Sequence, residues 1–519
     1  MLAQGLQGGV GRINLAHPCV ANLGAALQQG RIELLGQGDQ DENRALYRFW
    51  HGEAGFWKEL APTQTARVDT GQAWYALASH NGPMDLSQST EGRRLLGVAD
   101  AFFHRYLLAH NPAWHQSVAL GVYPPPFLED LKALAQDEGL WNLFLPRLQP
   151  DEPGTRLSNL DYAPIAELLG RLPWASEVFN CSAPDTGNME LLHRFGSGVQ
   201  KAQWLQPLME GSIRSAFAMS EPDVASSDPT NLQTEVAVDG DALVLNGRKW
   251  FITGAAHPQC QLLIVMCRHA NQETTPSDQR TVPDARHHRH SMVLVPITTP
   301  GVEVVRNISV LNHLAPEGHC ESRLREVRVP RDHVLGHWGE GFAMAQARLG
   351  PGRVHHCMRT VGQCELALQL ACERVLERQA FGRRLSDFAN VQEWIADSRI
   401  EITQARLLVL QLAWRLDHEP EAIDQIKSDT AAVKVVAARL QTRVVERAIQ
   451  IFGAMGLSPD TPLADFWSWG RAMHLMDGPD EVHLRTVARQ ELKAAHGRAG
   501  QGASYFTTPE QRTAPPRIR

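Results

Sequence analysis

The chain has 519 residues, of which 43% are hydrophobic and 21% charged, with a formal net charge of −7. That length is too great for one ordinary core, so about two to four domains are expected. The composition excludes a disordered chain. The mild negative charge argues against a general nucleic-acid or membrane-surface binder, which would carry a positive excess.

Residues 1 to about 95 begin Gly- and Gln-rich and then carry Trp50, Trp57 and Trp74 among charged residues; no chemistry attaches to them. From about 96 to 214 the pattern is helical. Ala99 to Leu108, Pro126 to Glu138 and Tyr162 to Arg171 each repeat apolar residues every three or four positions. Pro124-Pro125-Pro126 and Asp151-Glu152-Pro153-Gly154 break the pattern between them. From about 215 to 332 the pattern is strand-like, in Glu235 to Val238, Ala242 to Leu245 and Ser291 to Val295. Asp239-Gly240-Asp241 predicts a hairpin turn, because Gly and Asp tolerate positive φ. A polar insertion from about 269 to 290 carries His269, His287, His288 and His290. No Cys or carboxylate framework accompanies them, so the insertion reads as a solvated loop rather than a metal site.

From about 340 to 495 long helices return. Ile400, Ile402, Ala405, Leu408, Val409, Leu412 and Leu416 follow the helical period, as do Val433, Val436, Leu440, Val444 and Ile449. Such helices pack as a bundle, often with partner subunits. The tail after about 497 is rich in Gly, Pro, Thr and Arg and reads as frayed.

The eight cysteines form no CxxC and no zinc-like Cys/His spacing. They read as small hydrophobes of a reducing compartment. The longest uninterrupted apolar run, Leu262 to Cys267, is far too short to span a bilayer. No basic start, long apolar core and small-residue cleavage site marks a signal peptide. Glu33 is the first acidic residue, as in a transit peptide, but only Arg12 and Arg31 are basic before it. A cytoplasmic location is expected, with a mitochondrial one as the alternative for a eukaryotic source.

Two segments at the sheet carry candidate chemistry. FAMSEPDVASSD, residues 217–228, offers small residues and hydroxyls that let backbone approach a bulky ligand. Alone it reads equally as a set of turns. NGRKWFITG, residues 246–254, places a turn before two aromatics and a Thr, and alone reads as a buried aromatic strand. Taken together they resemble the flavin-binding region of acyl-CoA dehydrogenases. LGPGRVHHCMR, ERQAFGRRLSDF, QIFGAMG and MDGPDEVHLRTVAR follow in that family's order, so the resemblance covers about residues 96–495. The forms EPDVASSD, GPGRVHHCMR and DGPDEVH look most like the branch whose animal members are fused to a kinase-like domain; no kinase motif is present here.

The resemblance implies an α+β, mainly α fold. It consists of an N-terminal helical domain (96–214), a central β domain (215–332) and a C-terminal four-helix bundle (333–496), flanked by an extension (1–95) and a tail (497–519). It implies FAD-dependent α,β-dehydrogenation of an acyl-CoA thioester, with Asp477 as the base that removes the α-proton. Most relatives have Glu there, so Asp is one methylene shorter. An apolar, dry pocket beside Leu475 and Met476 would raise its pKa. On its own residues alone, Asp477 reads equally as the N-cap of a helix starting at Gly478-Pro479.

For the flavin, the resemblance implies Phe217, Met219, Ser220 and Ser226, with Phe251 stacking and Thr253 near N5. It implies that Arg378 and Phe381 reach a neighbouring subunit's FAD, that Gln450 and Gly453 lie on the adenosine side, and that Pro479 and Glu481 lie on the turn after the base. Ala454 replaces a second Gly of relatives, and Ala389 stands where many have a flavin-binding Gln. For the acyl-CoA it implies Ser226, Arg353, Gly478 and Arg489, with Arg353 set on a turn by Gly350-Pro351-Gly352. His355 and His356 read either as pocket-lining or as structural. An electron-transferring flavoprotein is the implied partner, in a homodimer or homotetramer. Two alternatives remain. One is a same-fold flavoenzyme acting on a hydroxylated or phosphorylated acyl-CoA, or using O₂ as acceptor. The other is a binding or assembly protein without redox activity.

Overall fold

A computed structural model describes residues 84–146, 148, 152–225, 228–270, 287–498 and 505–506, together with the backbone of three strands before them. Those strands are β1 (Ile32–Gln37), β2 (Ala45–His51) and β3 (Phe56–Leu60). They form an antiparallel sheet in chain order, within a unit that spans Met1–Pro83.

The second unit spans Met84–Arg519 and opens with helices. Helix α1 (Thr90–Phe102) starts where the Ser89 hydroxyl accepts the Gly92 N–H at 2.9 Å. It runs through a π-helical turn, Phe103–Leu107, into α2 (Leu108–Ala119). The stretch predicted as Ala99 to Leu108 is therefore the middle of a longer helical segment. Next come α3 (Leu128–Asp137), α4 (Asn159–Gly170) and α5 (Asp185–Phe195). Ser158 caps α4, accepting the Asp161 N–H at 3.0 Å. Both caps satisfy helix donors that would otherwise lack partners. Phe102, Phe103, Phe144, Tyr162 and Phe179 fill the helical core.

The sheet that follows contains β4 (Arg214–Ala218), β5 (Glu235–Asp239), β6 (Ala242–Thr253), β7 (Cys260–His269), β8 (His290–Pro296), β9 (Val302–Asn307), β10 (His319–Pro330) and β11 (Val334–Leu335). Its order is β11-β8-β7-β5-β6-β10-β9, with β4 parallel to β7. The predicted hairpin joins β5 to β6, with Gly240 at φ 59°. β6 outruns its predicted length and bulges against β10. There Cys320 pairs with Ile252 and Ser322 with Lys249, so Trp250 and Phe251 together oppose Glu321. A bulge of this kind re-aims a side chain; Phe251, at φ 51°, is left exposed.

The expected solvated loop holds less of the His set than the sequence indicates. His269 and His290 are buried strand residues facing the sheet ladder through Arg268↔His290. Residues 271–286 lie outside the described residues.

The chain then returns to helices: α6 (Gly341–Glu377), α7 (Ala389–His418), α8 (Ile423–Phe452), α9 (Leu463–Met473) and α10 (Asp480–Gly497). α6 packs on α4, α7 and α8, and α8 packs also on α9 and α10. The backbone of α6 stays helical through Gly350-Pro351-Gly352. The expected turn before Arg353 is therefore absent, and Arg353 projects from a helix interior. Among the described residues no helix is long and apolar enough to cross a membrane.

Where α4 crosses α6 the backbones touch. A Cβ on Gly362 would lie 1.8 Å from the Glu167 carbonyl oxygen, and one on Gly170 would lie 2.2 Å from that of Arg359. Backbone cannot yield as a side-chain tip can. Gly362→Ala should therefore lower stability by about 1–3 kcal/mol through overpacking. Gly97→Ala, on an open face of α1 with nothing within 4 Å of the new Cβ, should raise it by up to about 1 kcal/mol. Thermal denaturation of both variants checks the contrast.

Candidate active site

Asp477 sits in the connection between α9 and α10 at φ 54°, followed by Gly478 at φ 98°. A non-glycine residue in this region costs about 1–3 kcal/mol and persists only where its surroundings enforce it. Three side chains enforce it here. Arg353, from α6, donates from Nε and Nη2 to the Asp477 carbonyl at 3.1 and 2.9 Å. His483, from the first turn of α10, donates from Nε2 to the same carbonyl at 3.2 Å. Lys434, from α8 and fully buried, donates from Nζ to the Met473 carbonyl at the start of the connection. His474 closes the turn, with its Nδ1 at 2.7 Å from the Asp480 carboxylate and its carbonyl accepting the Asp480 N–H at 3.1 Å.

The alternative role as helix cap is not what Asp477 does. α10 starts at Asp480, its N-cap is Pro479, and no side chain caps it. Among the described residues the Asp477 carboxylate makes no hydrogen bond. Among the described residues the ionisable side chain within 4 Å of it is His356, whose Nε2 stands 3.9 Å from Oδ2; the Asp477 and His356 side chains are 24% and 12% exposed.

Leu475, expected to wall an apolar pocket, is instead 59% exposed. Burial raises the Asp477 carboxyl, but His356, Arg353, Arg348 and Lys434 outweigh it and hold the group below its ordinary value. The charges brought by neighbouring helices thus outweigh burial in setting the ionisation of this carboxylate. Arg348, one of these cations, also joins α6 to the sheet and to α5. Its guanidinium lies 4.1 Å above the Phe217 ring, and it donates to Asn188 Oδ1 at 3.1 Å and to the Pro184 carbonyl at 3.3 Å.

The residues expected on the flavin side lie at the end of β4, just after it and along β6. Phe217 is the penultimate residue of β4, and Met219 and Ser220 follow the strand. The Trp250 N–H donates to the Ser220 carbonyl at 3.0 Å. Lys249, 0% exposed, donates from Nζ to the Met219 carbonyl at 2.9 Å, to Glu221 Oε1 at 2.8 Å and to the Met266 carbonyl at 2.7 Å. Glu221 in turn accepts the Gln233 and Thr234 N–H groups, at 2.6 and 2.9 Å. Phe251 is exposed on its bulge, and the half-buried Thr253 hydroxyl lies 3.0 Å from His319 Nδ1. An open aromatic face, an adjacent hydroxyl and accessible backbone suit a planar ring system with a polar edge. Ser226 lies outside the described residues.

The remaining candidates lie elsewhere. Arg378 ends α6, and Phe381 is 96% exposed at φ 53° on the hairpin Gln379–Arg384. Gln450 is near the end of α8, and Gly453 turns the chain there at φ 66°. Ala389 begins α7, and Ala454 follows Gly453. Pro479 precedes α10, while Glu481 and Arg489 are exposed along it. No hydrogen bond or ion pair joins Arg378, Phe381, Gln450 or Gly453 to the Asp477 turn among the described residues. Arg353 is engaged with the backbone of the turn.

The adjacent histidines separate. His355 is buried with both ring nitrogens unpartnered, edge-on to Tyr162 at 4.9 Å and Phe144 at 6.1 Å. His356 faces Asp477. The sequence reading missed Arg348, Lys434, His319 and Lys249. For Lys249 a signal existed, because period-two alternation puts it on the face of Leu243 and Leu245, which are both buried.

Comparison with known proteins adds the following. Residues 216–324 match the family described as acyl-CoA dehydrogenase, middle domain, and residues 339–492 that described as acyl-CoA dehydrogenase, C-terminal domain. "Probable acyl-CoA dehydrogenase FadE2" of Mycobacterium tuberculosis is 51% identical over 396 residues, covering 76% of this chain and 91% of that protein. Acyl-CoA dehydrogenase family member 11 of Homo sapiens is 46% identical over 371 residues, covering 71% of this chain but 45% of that protein. The chain thus spans about half the length of that larger relative. The solved butyryl-CoA dehydrogenase of Megasphaera elsdenii is similar with a TM-score of 0.65 and 25% identity, over 79% of this chain and all of that one.

Burial of His355 predicts an acid sensitivity. Its ring titrates near 6.5 in an unfolded chain, and burial pushes it down to about 3 in the fold. Between those values the unfolded state binds the extra proton, so stability falls as pH drops from about 6.5 toward 3. In His355→Leu, the melting temperature should decline less steeply across that window than in the wild type.

Proposed function

The chain belongs to the acyl-CoA dehydrogenase family and is an oxidoreductase of that kind; on this premise we propose that it holds FAD and desaturates an acyl-CoA thioester between its α and β carbons, with Asp477 removing the α-proton. The observation that carries this reading is the Asp477 carboxylate itself. It is neither a cap nor a hydrogen-bonded structural group. It is fixed through its own main chain, beside the Arg348–Phe217 contact that leads to the flavin-side segment.

The cations around it do two things. They lower the basicity of Asp477, which by itself would slow proton removal. They also favour the negative charge that develops on the thioester as the proton leaves, and placed charge of this sort is a large catalytic term. Bound FAD would supply the acceptor for the β-hydride. Phe217, Met219 and Ser220 would hold its ring from the β4 side, and Phe251 and Thr253 from β6. Lys249 and Glu221 would fix the backbone between them. The 96% exposure of Phe381 supports a homo-oligomer in which Arg378 and Phe381 reach a neighbouring copy's FAD. An electron-transferring flavoprotein is the proposed oxidant of the reduced enzyme.

One feature favours a second reading of the substrate. Arg348, Arg353 and Lys434 place three cations around the turn, which suits an acyl chain carrying a phosphate. Anaerobic bleaching of the flavin by a panel of acyl-CoAs, with and without a chain phosphate, distinguishes the two readings. Asp477→Asn should retain FAD and slow bleaching by about 10²–10⁴-fold, the range for loss of a general base. Unchanged bleaching in that variant removes Asp477 from the mechanism. A protein that stays colourless with added FAD overturns the flavoenzyme reading.

A further inference from the structure

We propose that His356 is a positioning residue for the base: its neutral imidazole faces the Asp477 carboxylate from α6 and accepts, at Nε2, the hydrogen bond of the carboxylic acid that α-proton removal creates. The inference rests on the reading of Asp477 as base.

The geometry fits two acceptors that meet without a proton between them. Oδ2 of Asp477 and Nε2 of His356 stand 3.9 Å apart, beyond hydrogen-bond distance, though both are largely enclosed. In the Nδ1–H tautomer that this role requires, Nε2 presents a lone pair to the carboxylate, so the two do not close up. A proton on Asp477 supplies the missing donor and lets the pair approach to hydrogen-bond length.

The surroundings hold His356 in the neutral form this role requires. Burial, reinforced by Arg359, Lys434 and Arg348, pushes its ring down to about 4 against the opposing pull of Asp477. Arg348, Arg353 and Arg359 face the pair from α6, and Lys434 from α8. On α10, His483 is pushed down to about 4 by burial, Arg353 and Lys434, and its Nε2–H is engaged with the Asp477 carbonyl. Asp480 is engaged with His474, and burial pushes the Cys357 thiol up to about 12. Trp469 flanks His356 from α9, with ring centroids 6.5 Å apart. His356 is thus the ionisable side chain that the described residues place within 4 Å of the carboxylate.

The site needs such an acceptor for a physical reason. The same cations that suit the developing enolate charge penalise the neutral acid form of Asp477. A hydrogen bond accepted from the acid form offsets part of that penalty. The chemistry balances within the proposed reaction. The α C–H bond breaks, and its proton forms an O–H bond on Asp477. The α C–H electron pair becomes the second bond between the carbons as the β-hydride departs. No bond forms at His356; it shares the proton that Asp477 carries.

The test compares His356→Leu, which fills space but accepts nothing, with His356→Gln, whose side-chain carbonyl accepts a hydrogen bond. The rate of anaerobic flavin reduction by acyl-CoA is measured against pH, with FAD content recorded for each variant. His356→Leu should slow reduction about tenfold, the worth of one hydrogen bond of roughly 1.4 kcal/mol. KM should change little, and the acid limb of the profile should move to lower pH. His356→Gln should recover most of the rate. As a readout without turnover, the ¹⁵N-histidine titration of His356 should shift to lower pH in Asp477→Asn, because the carboxylate that supports its proton is gone. A His356→Leu profile that overlays the wild type, or a Gln variant as slow as the Leu variant, overturns the proposal. If Asp477→Asn itself still bleaches, it is the base assignment that fails. If that variant is inactive and His356→Leu is unaltered, the failure belongs to His356 alone.

Discussion

Two donors, the Arg353 guanidinium and the His483 ring, converge on a single acceptor, the main-chain carbonyl of Asp477. The geometry of the candidate site follows from that convergence. An aspartate at positive φ returns to ordinary backbone unless something outside the turn forbids it. Here the restraint comes from α6 and α10, with Lys434 on α8 holding the Met473 carbonyl at the entry. The carboxylate stays free because the backbone, not the side chain, takes the hydrogen bonds. The helical bundle is thus the frame for one short turn, and the glycine-mediated contact of α4 with α6 keeps that frame against the N-terminal helices.

A second constraint joins those helices to the sheet. Arg214, on β4 and 6% exposed, donates from Nη1 to Glu177 at 2.8 Å and from Nη2 to Ser182 Oγ at 2.9 Å. Asp185, at the start of α5, accepts the Ser215 N–H at 2.7 Å. Buried charges of this kind add little net stability over apolar replacements, but a lone remaining charge is costly. Such a network therefore fixes how β4 leaves the helical part, and β4 carries Phe217 near its end. Lys249 and Glu221 do the same for the next residues. Both pairs are structural groups whose effect at the site is placement of backbone.

Much of this architecture was legible in the residues. The switch from three-and-four spacing to alternation at about 215 marks the real start of the sheet, and Asp239-Gly240-Asp241 is the real hairpin. Local pattern was enough because turns and amphipathic faces are set by neighbours in sequence. It misled where local chemistry is overridden. Gly350-Pro351-Gly352 carries strong breakers, yet the backbone continues as helix, because α6 is held along its length by α4, α7 and α8. Asp477 before Gly-Pro has the composition of a cap, yet the helix starts three residues later.

The sequence by itself determined the order of helices, sheet and helices, and the family, since ordered motifs survive without coordinates. It also singled out Asp477. Only the tertiary structure decided the character of that residue's surroundings. Arg348, Arg353, His356, Lys434 and His483 are separated by up to 135 positions, and no periodicity brings them together. The expectation drawn from Leu475 and Met476 was an apolar pocket that raises the carboxyl; the assembled helices supply cations that lower it. The reason is that ionisation depends on charges within a few ångströms in space, and for a turn between two helices most of those charges arrive from other elements of the chain.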